Sequence, residues 1–334
     1  MKALKTELKL SLQRTKKQIA MSEQNLINKI NQLKKEKNAI ILAHFYQTAD
    51  IQEMADFVGD SLALAQKASE SDADIIVFAG VHFMAETAKA LNPKAKVLLP
   101  DLEAGCSLAE SCPAPDFKKF KEQYPDHKVI SYINCTAELK CITDIVCTSS
   151  NALQIVESLP KDQPIIFAPD RNLGGYINKI SGREMLLWDG SCEVHDILEA
   201  EKIVELKIAH PDALLVAHPE CQAQVLELAD YVGSTSGILK YTKEADNKKF
   251  IVATESGILH QMNKQSPEKE FIIVPSDETC SCNDCPYMKL ITMQKIYDVL
   301  LNESNEIILE ESVMRNSIKP IERMLEISKQ HKII

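Results

Sequence analysis

Three polar pairs, three hydroxyls and three cysteines hold most of the chemistry that this sequence can do. His44/Tyr46, Tyr132/Asn134 and His218/Glu220 stand twelve and ten residues before Asp56, Asp144 and Asp230, and those aspartates are 88 and 86 residues apart. Each Asp opens a short run that ends in a hydroxyl: Asp56-Phe-Val-Gly-Asp-Ser61, Asp144-Ile-Val-Cys-Thr-Ser149 and Asp230-Tyr-Val-Gly-Ser-Thr235. His, Tyr and Glu can move protons. Hydroxyls at helix starts, beside free backbone N–H groups, suit an anion such as a carboxylate or phosphate. Helix capping alone would also account for Ser61, Ser149 and Thr235. A fold needs only the apolar part of the pattern, so the recurring polar part asks for a further explanation.

Cys106, Cys192 and Cys285 are 86 and 93 residues apart, each in the loop after an apolar run. Three thiolates converging from three parts of a chain make a three-ligand metal site. Zinc would accept it, and so would a [4Fe–4S] cluster with one iron left without a protein ligand. Such an iron can act as a Lewis acid on a hydroxyl or carboxylate.

The elements that must position these residues alternate. Short apolar strands at 39–43, 57–58, 74–79 and 96–100 are interleaved with helical stretches near 23–37, 48–55 and 82–91, and a further helix is opened by Asp60-Ser61. This is the pattern of a parallel sheet covered on both faces. A second unit follows, with a helix near 115–123 and strands at 128–132, 164–167 and 185–188. The third has a helix near 196–208 and strands at 213–217, 250–253 and 271–274. Even the turns recur: Pro125-Asp126 and Pro211-Asp212 each precede their Asp by 18 residues. A triplicated α/β unit is the economical account. We expect an N-terminal helical extension over 1–22, three similar α/β domains over 23–107, 108–193 and 194–285, and C-terminal helices over 286–334 packing on the first domain. The short parallel sheets are expected around a pseudo-threefold axis, with one shared site outside the carboxyl ends of their strands.

Composition sets the bounds. With 334 residues, two or three domains are expected, and 45% hydrophobic residues mark an ordinary globular chain. A net charge of −10 without a basic block argues against a nucleic-acid partner. No apolar run has the length of a membrane span. Residues 1–20 carry six Lys/Arg and one Glu, as a solvated helix or a targeting or partner-binding arm would, and Met21 could be the true start. Ten cysteines without a secretion signal predict a reducing cytoplasm, where clustered thiols mean metal or redox chemistry.

Taken together, the motifs resemble the quinolinate synthase family of NAD biosynthesis. The resemblance runs from about residue 23 and rests on Ala43-His-Phe-Tyr-Gln47, Val58-Gly-Asp-Ser61, Pro100-Asp101 with Gly105-Cys106, and Tyr132-Ile-Asn134. It continues through Cys147-Thr-Ser-Ser-Asn151, Pro169-Asp-Arg-Asn-Leu-Gly174, Gly190-Ser-Cys-Glu-Val-His195 and His218-Pro-Glu-Cys221. Val232-Gly-Ser-Thr235, Thr254-Glu255 and Cys285-Pro286 complete it. The resemblance implies an enzyme that joins iminoaspartate to dihydroxyacetone phosphate, releasing phosphate and water to give quinolinate. It implies a [4Fe–4S] cluster on Cys106, Cys192 and Cys285, and a functional link to the enzyme that supplies iminoaspartate. It also implies a substrate pocket of His44, Tyr46, Ser61, Tyr132, Asn134, Ser149, His218, Glu220, Ser234 and Thr235. Tyr46, Glu220, His44 and His218 are then the catalytic acid–base candidates, with His195 as a supporting residue. The run Cys280-Ser-Cys282-Asn-Asp-Cys285 departs from the family's C-x2-C-x2-C, which weakens any redox pairing of Cys280 with Cys282. Cys112, Cys135, Cys141, Cys147 and Cys221 read as packing or surface thiols. Two other functions fit the residues less fully: a different hydro-lyase acting on hydroxy-carboxylates, and a non-catalytic sensor of small dicarboxylates or iron–sulfur status.

Overall fold

The computed structural model describes residues 24–276 and 283–333. The expected extension over 1–22 and the residues Cys280 and Cys282 lie outside the described residues. Three four-stranded, wholly parallel sheets follow one another along the chain. The first holds β1 (Ala39–His44), β2 (Phe57–Gly59), β3 (Ile75–Ala79) and β4 (Lys96–Leu98) in the order β2-β1-β3-β4. The second holds β5 (Lys128–Tyr132), β6 (Ile145–Cys147), β7 (Ile165–Ala168) and β8 (Leu186–Leu187), ordered β6-β5-β7-β8. The third repeats it with β9 (Leu214–Ala217), β10 (Tyr231–Val232), β11 (Lys249–Ala253) and β12 (Glu270–Ile273), ordered β10-β9-β11-β12. Helices link the strands, so the expected three-domain α/β class holds.

Every residue of β3 and of β7 is buried, which explains why these strands read as unbroken apolar runs rather than alternating ones. In each unit the chain steps to one side of its first strand and then crosses to the other. That places a topological switch point between the first and third strands, where ligands of open parallel sheets bind.

The repeated aspartates have a structural task. Asp56 Oδ2 accepts the backbone N–H of Ile41 at 2.7 Å, Asp144 Oδ2 that of Val129 at 2.8 Å, and Asp230 Oδ2 that of Leu215 at 2.7 Å. The backbone N–H of each Asp returns a bond to the carbonyl of the same partner, at 2.9, 3.0 and 2.9 Å. A lysine ammonium (Lys34, Lys128 or Lys207) lies within 3.0 Å of each carboxylate. Charge-assisted bonds of this kind fix the second strand's register on the first.

The C-terminal segment packs on the first unit and also reaches the second. The helix Met293–Asn302 does lie against β3, sending Ile296, Val299 and Leu300 into a core shared with the helix over 24–36. Residues 305–307 then cover the exposed edge of β4, with Leu99 N–H donating to Asn305 O at 3.1 Å and Ile307 N–H to Val97 O at 2.8 Å. The long helix Glu311–Gln330, however, straddles the seam between units. It packs on His82–Leu91 of the first and on β6, Ala137–Lys140 and Ala152–Glu157 of the second. Its stripe of Ile321, Met324 and Ile327 is buried there, and Asn151 Nδ2 donates to Ser328 Oγ at 2.9 Å.

Candidate active site

The carboxyl ends of all three sheets open on one cavity of about 700 Å³, counted to its mouth. His44 and Tyr46 reach it from β1, Tyr132 and Asn134 from β5, and His218 and Glu220 from β9. Ser61, Ser149 and Thr235 enter from the segments after β2, β6 and β10. Cys106, Cys192 and Cys285, from the loops after β4, β8 and β12, complete the wall.

Three placements differ from the reading of the sequence. Asp60 and Ser234, not Ser61 and Thr235, are the capping residues: Asp60 Oδ1 accepts from Ala63 N–H at 3.0 Å and Ser234 Oγ from Gly237 N–H at 3.1 Å. Ser61 and Thr235 each stand one residue later, which leaves their hydroxyls to the cavity. Ser234 is not among the lining residues. Ser149 lies in the turn before the helix Ala152–Glu157, because Asn151 holds that turn by accepting from Thr148 N–H at 2.6 Å.

A buried hydrogen-bond chain crosses the units. The Tyr46 hydroxyl is 3.0 Å from Thr235 Oγ1 and 2.9 Å from Thr254 Oγ1, and Thr254 Oγ1 is 2.9 Å from His195 Nε2. His195 Nδ1 lies 3.1 Å from Glu220 Oε2 and 3.3 Å from Cys192 Sγ. His218 Nδ1 is also 3.1 Å from Glu220 Oε2, and its Nε2 is 3.2 Å from Ser149 Oγ. The His195 and His218 rings stack with centroids 4.7 Å apart. Glu220 Oε1 and Asn134 Oδ1 are buried without a protein partner. Such acceptors are costly unless something donates to them.

Burial separates the protonation states of these groups. It pushes the Tyr46 and Tyr132 phenols well above the ordinary value, and the nearby Glu220 charge adds to this, so both remain donors. It drives His44 down to about 4 and His195 down to about 3, so both are neutral near pH 7. For Glu220 burial opposes ionisation, but His195, His218 and hydrogen bonds from His218 and Tyr132 outweigh it and hold the carboxyl below its usual range. The Glu220 carboxylate thus faces the neutral donors of Tyr46 and Tyr132. Among the described residues, no Lys or Arg lines the cavity.

Three thiols on one wall of the cavity could hold a metal. Burial lifts Cys106 to about 12 and Cys285 to about 11, and with Glu220 close by it lifts Cys192 well above its usual value. Each would release its proton as a metal took its place. Among the described residues one trio of ligand atoms from Cys, His and carboxylate lies within 4.8 Å of one another: Cys192, His195 and Glu220.

Three buried residues, Thr254, Glu255 and Asp170, and the half-buried Lys289 are not singled out as site residues from the sequence. Glu255 is 0% exposed and lines the cavity. Its Oε1 accepts from Cys285 N–H at 3.1 Å and from Lys289 Nζ at 2.7 Å, and its Oε2 accepts from Gly257 N–H at 2.7 Å. Lys289 Nζ also donates to the Tyr46 carbonyl at 2.7 Å, tying the first unit to the Cys285 loop. Burial raises Glu255 to about 7 against the pull of Lys289. A signal for it was present: Asp170 and Glu255 each stand two residues after the alanine that ends a third strand, Ala168 and Ala253.

With this geometry in place, relatives can be compared. Residues 28–326 match the family profile described as quinolinate synthetase A protein. A quinolinate synthase of Microcystis aeruginosa is 58% identical over 304 residues, 91% of this chain and 95% of the relative. One from Chloroherpeton thalassium is 56% identical over 315 residues, 94% of this chain and 98% of the relative. One from Synechocystis sp. is 58% identical over 304 residues, covering 91% and 96%. Identity at this level over nearly the full length of both partners, on a chain whose three units open on one polar cavity, shows that this protein belongs to the quinolinate synthase family of enzymes.

Proposed function

We propose that this protein condenses iminoaspartate with dihydroxyacetone phosphate to quinolinate, with loss of phosphate and water, at a [4Fe–4S] cluster held by Cys106, Cys192 and Cys285. The observation that carries this reading is the convergence of three thiols, the ionised Glu220 and two neutral phenols on one cavity. The donor set suits the cluster. A single tetrahedral zinc, about 2.3 Å from each sulfur, would draw the three sulfurs to within about 4 Å of each other. The cysteine sulfurs line one cavity but do not form a trio within 4.8 Å, which favours a larger group with one iron per thiolate. When bound, such a cluster would supply an open iron that polarises a hydroxyl or carboxylate oxygen.

The protein's own groups divide the remaining work. Glu220, ionised and with Oε1 free of protein partners, is the base for the proton transfers of isomerisation and cyclisation. Tyr46, kept protonated and braced by Thr235 and Thr254, is the acid for a departing hydroxyl. His44 and His218 line the same face; His218 orients Glu220 and Ser149. Ser61, Ser149, Thr235 and the amide of Asn134 take the carboxylates and phosphate. They do so through neutral donors and the N-termini of the helices Ser61–Ser69 and Thr235–Glu244. Asn134 Oδ1 awaits an N–H or O–H from the substrate. We place the enzyme in the cytoplasm, close in function to the enzyme that makes the imine.

The test is product formation by the full-length protein prepared without air. Supplied with iminoaspartate generated in place and dihydroxyacetone phosphate, it should form quinolinate. Dehydration of a hydroxy-carboxylate without quinolinate would point to another hydro-lyase, and tight binding without turnover to a sensor.

A further inference from the structure

We infer that the cluster-free protein has a second, mononuclear metal site, made by Cys192 Sγ, His195 Nδ1 and Glu220 Oε2, that takes a zinc-like divalent ion and shares one thiol with the cysteine triad. The three atoms lie within 4.8 Å of one another, with His195 Nδ1 3.3 Å from Sγ and 3.1 Å from Oε2. The two distances from Nδ1 are close to the edges of a tetrahedron whose centre stands about 2.0–2.3 Å from sulfur, nitrogen and oxygen ligands.

Local structure builds the site. Cys192 is the N-cap residue of the short helix Glu193–Asp196, and His195 stands three residues on, so the two side chains share a face. Glu220 arrives from the end of β9 in the third unit. His195 and Glu220 are only 1% and 3% exposed, which holds both in one place. The far nitrogen of His195, Nε2, lies 2.9 Å from Thr254 Oγ1. With Nε2–H donating there, Nδ1 turns its lone pair toward the point that Sγ and Oε2 also face. A metal-binding histidine is oriented by just such an outer bond. Independently, Glu220 Oε1 is buried with no partner, an acceptor that a bound ion or its water would satisfy. One thiolate, one carboxylate and one neutral imidazole leave a divalent ion electrically neutral, the least costly form to bury. All three residues line the cavity.

Cys192 cannot serve both sites. On the proposed cluster reading, an ion seated here blocks cluster assembly, so zinc is a direct competitor for the unloaded protein. On binding, the ion displaces the Cys192 proton to solvent and nothing is oxidised or reduced.

The test uses full-length protein stripped of iron and metal by chelation, with zinc chloride as the probe. Calorimetry should give one ion per chain, and His195→Ala should weaken binding at least about tenfold. Cys192→Ser should do the same, whereas Cys106→Ser and Cys285→Ser should not. X-ray absorption on the zinc-loaded wild type keeps the test independent of how variants fold. It should report one sulfur at about 2.3 Å and the rest nitrogen or oxygen near about 2.0 Å. Two or three sulfurs, or equal losses on removing any of the three cysteines, would place the ion on the triad and overturn the inference, as would no binding at all. Zinc-loaded protein should fail to take up iron and sulfide until zinc is chelated; uptake beside retained zinc would refute the competition. If zinc-free protein never assembles a cluster, the proposed function fails while the zinc site stands on its own spectrum.

Discussion

The aspartates Asp56, Asp144 and Asp230 and the polar pairs twelve and ten residues before them recur with the same spacing, yet the structure uses them in opposite ways. Each aspartate keeps its identity and its task, clasping a backbone N–H of the neighbouring strand at 2.7–2.8 Å. The pairs keep only their position. His44/Tyr46, Tyr132/Asn134 and His218/Glu220 present different groups to one cavity. Within a repeated fold, constant identity thus marks what each unit needs for itself. Changing identity at a constant position marks what the units build together. Three copies of one strand end give an asymmetric site, which three identical ends could not.

Substitutions should separate the two classes. Glu220→Gln keeps the shape but removes the one carboxylate at a strand end that is held ionised, and should lower kcat by about 10²–10⁴-fold with little change in unfolding midpoint. A comparable fall in stability with modest loss of rate would move Glu220 into the structural class. Gly257 tests how closely the units must approach: a Cβ there would meet the Tyr46 Cα and carbonyl carbon at 2.7 Å. Gly257→Ala should displace Tyr46 and cost about 10²-fold in rate, since misplacement by about 1 Å has effects of that size. Unchanged kinetics would show that the approach is not needed.

Asp144→Asn should show the reverse pattern. The charge-assisted clasp on Val129 is weakened, with a cost of about 1–3 kcal/mol in urea unfolding, while the rate per folded molecule stays within about twofold. The smallest effect is one of pH. His44 titrates near 6.5 when unfolded and near about 4 when folded, because burial disfavours its charge. Between those values the unfolded chain binds more protons, so stability rises with pH through that window and is lost as pH falls toward about 4. His44→Gln should flatten that part of the curve, measured as urea midpoints across it; an unchanged slope would mean that His44 is not held neutral.

Much of this was legible in the residues. The period, the parallel sheets and a shared site were legible in apolar runs and polar positions, because parallel sheets put ligands at their strand ends, whereas the order of strands within each sheet was not. What escaped depends on direction and loop length, which spacing does not encode. Ser234 and Thr235 are adjacent, and only the backbone entering the helix decides that Ser234 caps while Thr235 faces the cavity. Ser149 stands before its helix and not at its start, because Asn151 holds an intervening turn. Glu255 was hidden for a different reason: the first unit has Val81 where the others have Asp170 and Glu255, so the repeat looked apolar there. His195 entered only through its spacing from Cys192, whereas its bonds to Glu220 and Thr254 arise from the third unit folding over it.

The account rests most on the three cysteines acting as one set, and the direct measurement is an anaerobic absorption spectrum with iron and sulfide counts. Full-length protein, chelated and then supplied with iron and sulfide, should turn brown and hold about four of each per chain. Single replacement of Cys106, Cys192 or Cys285 by Ser should abolish that colour. Wild type that stays colourless and takes up neither iron nor sulfide, or variants that load as fully as wild type, would contradict it.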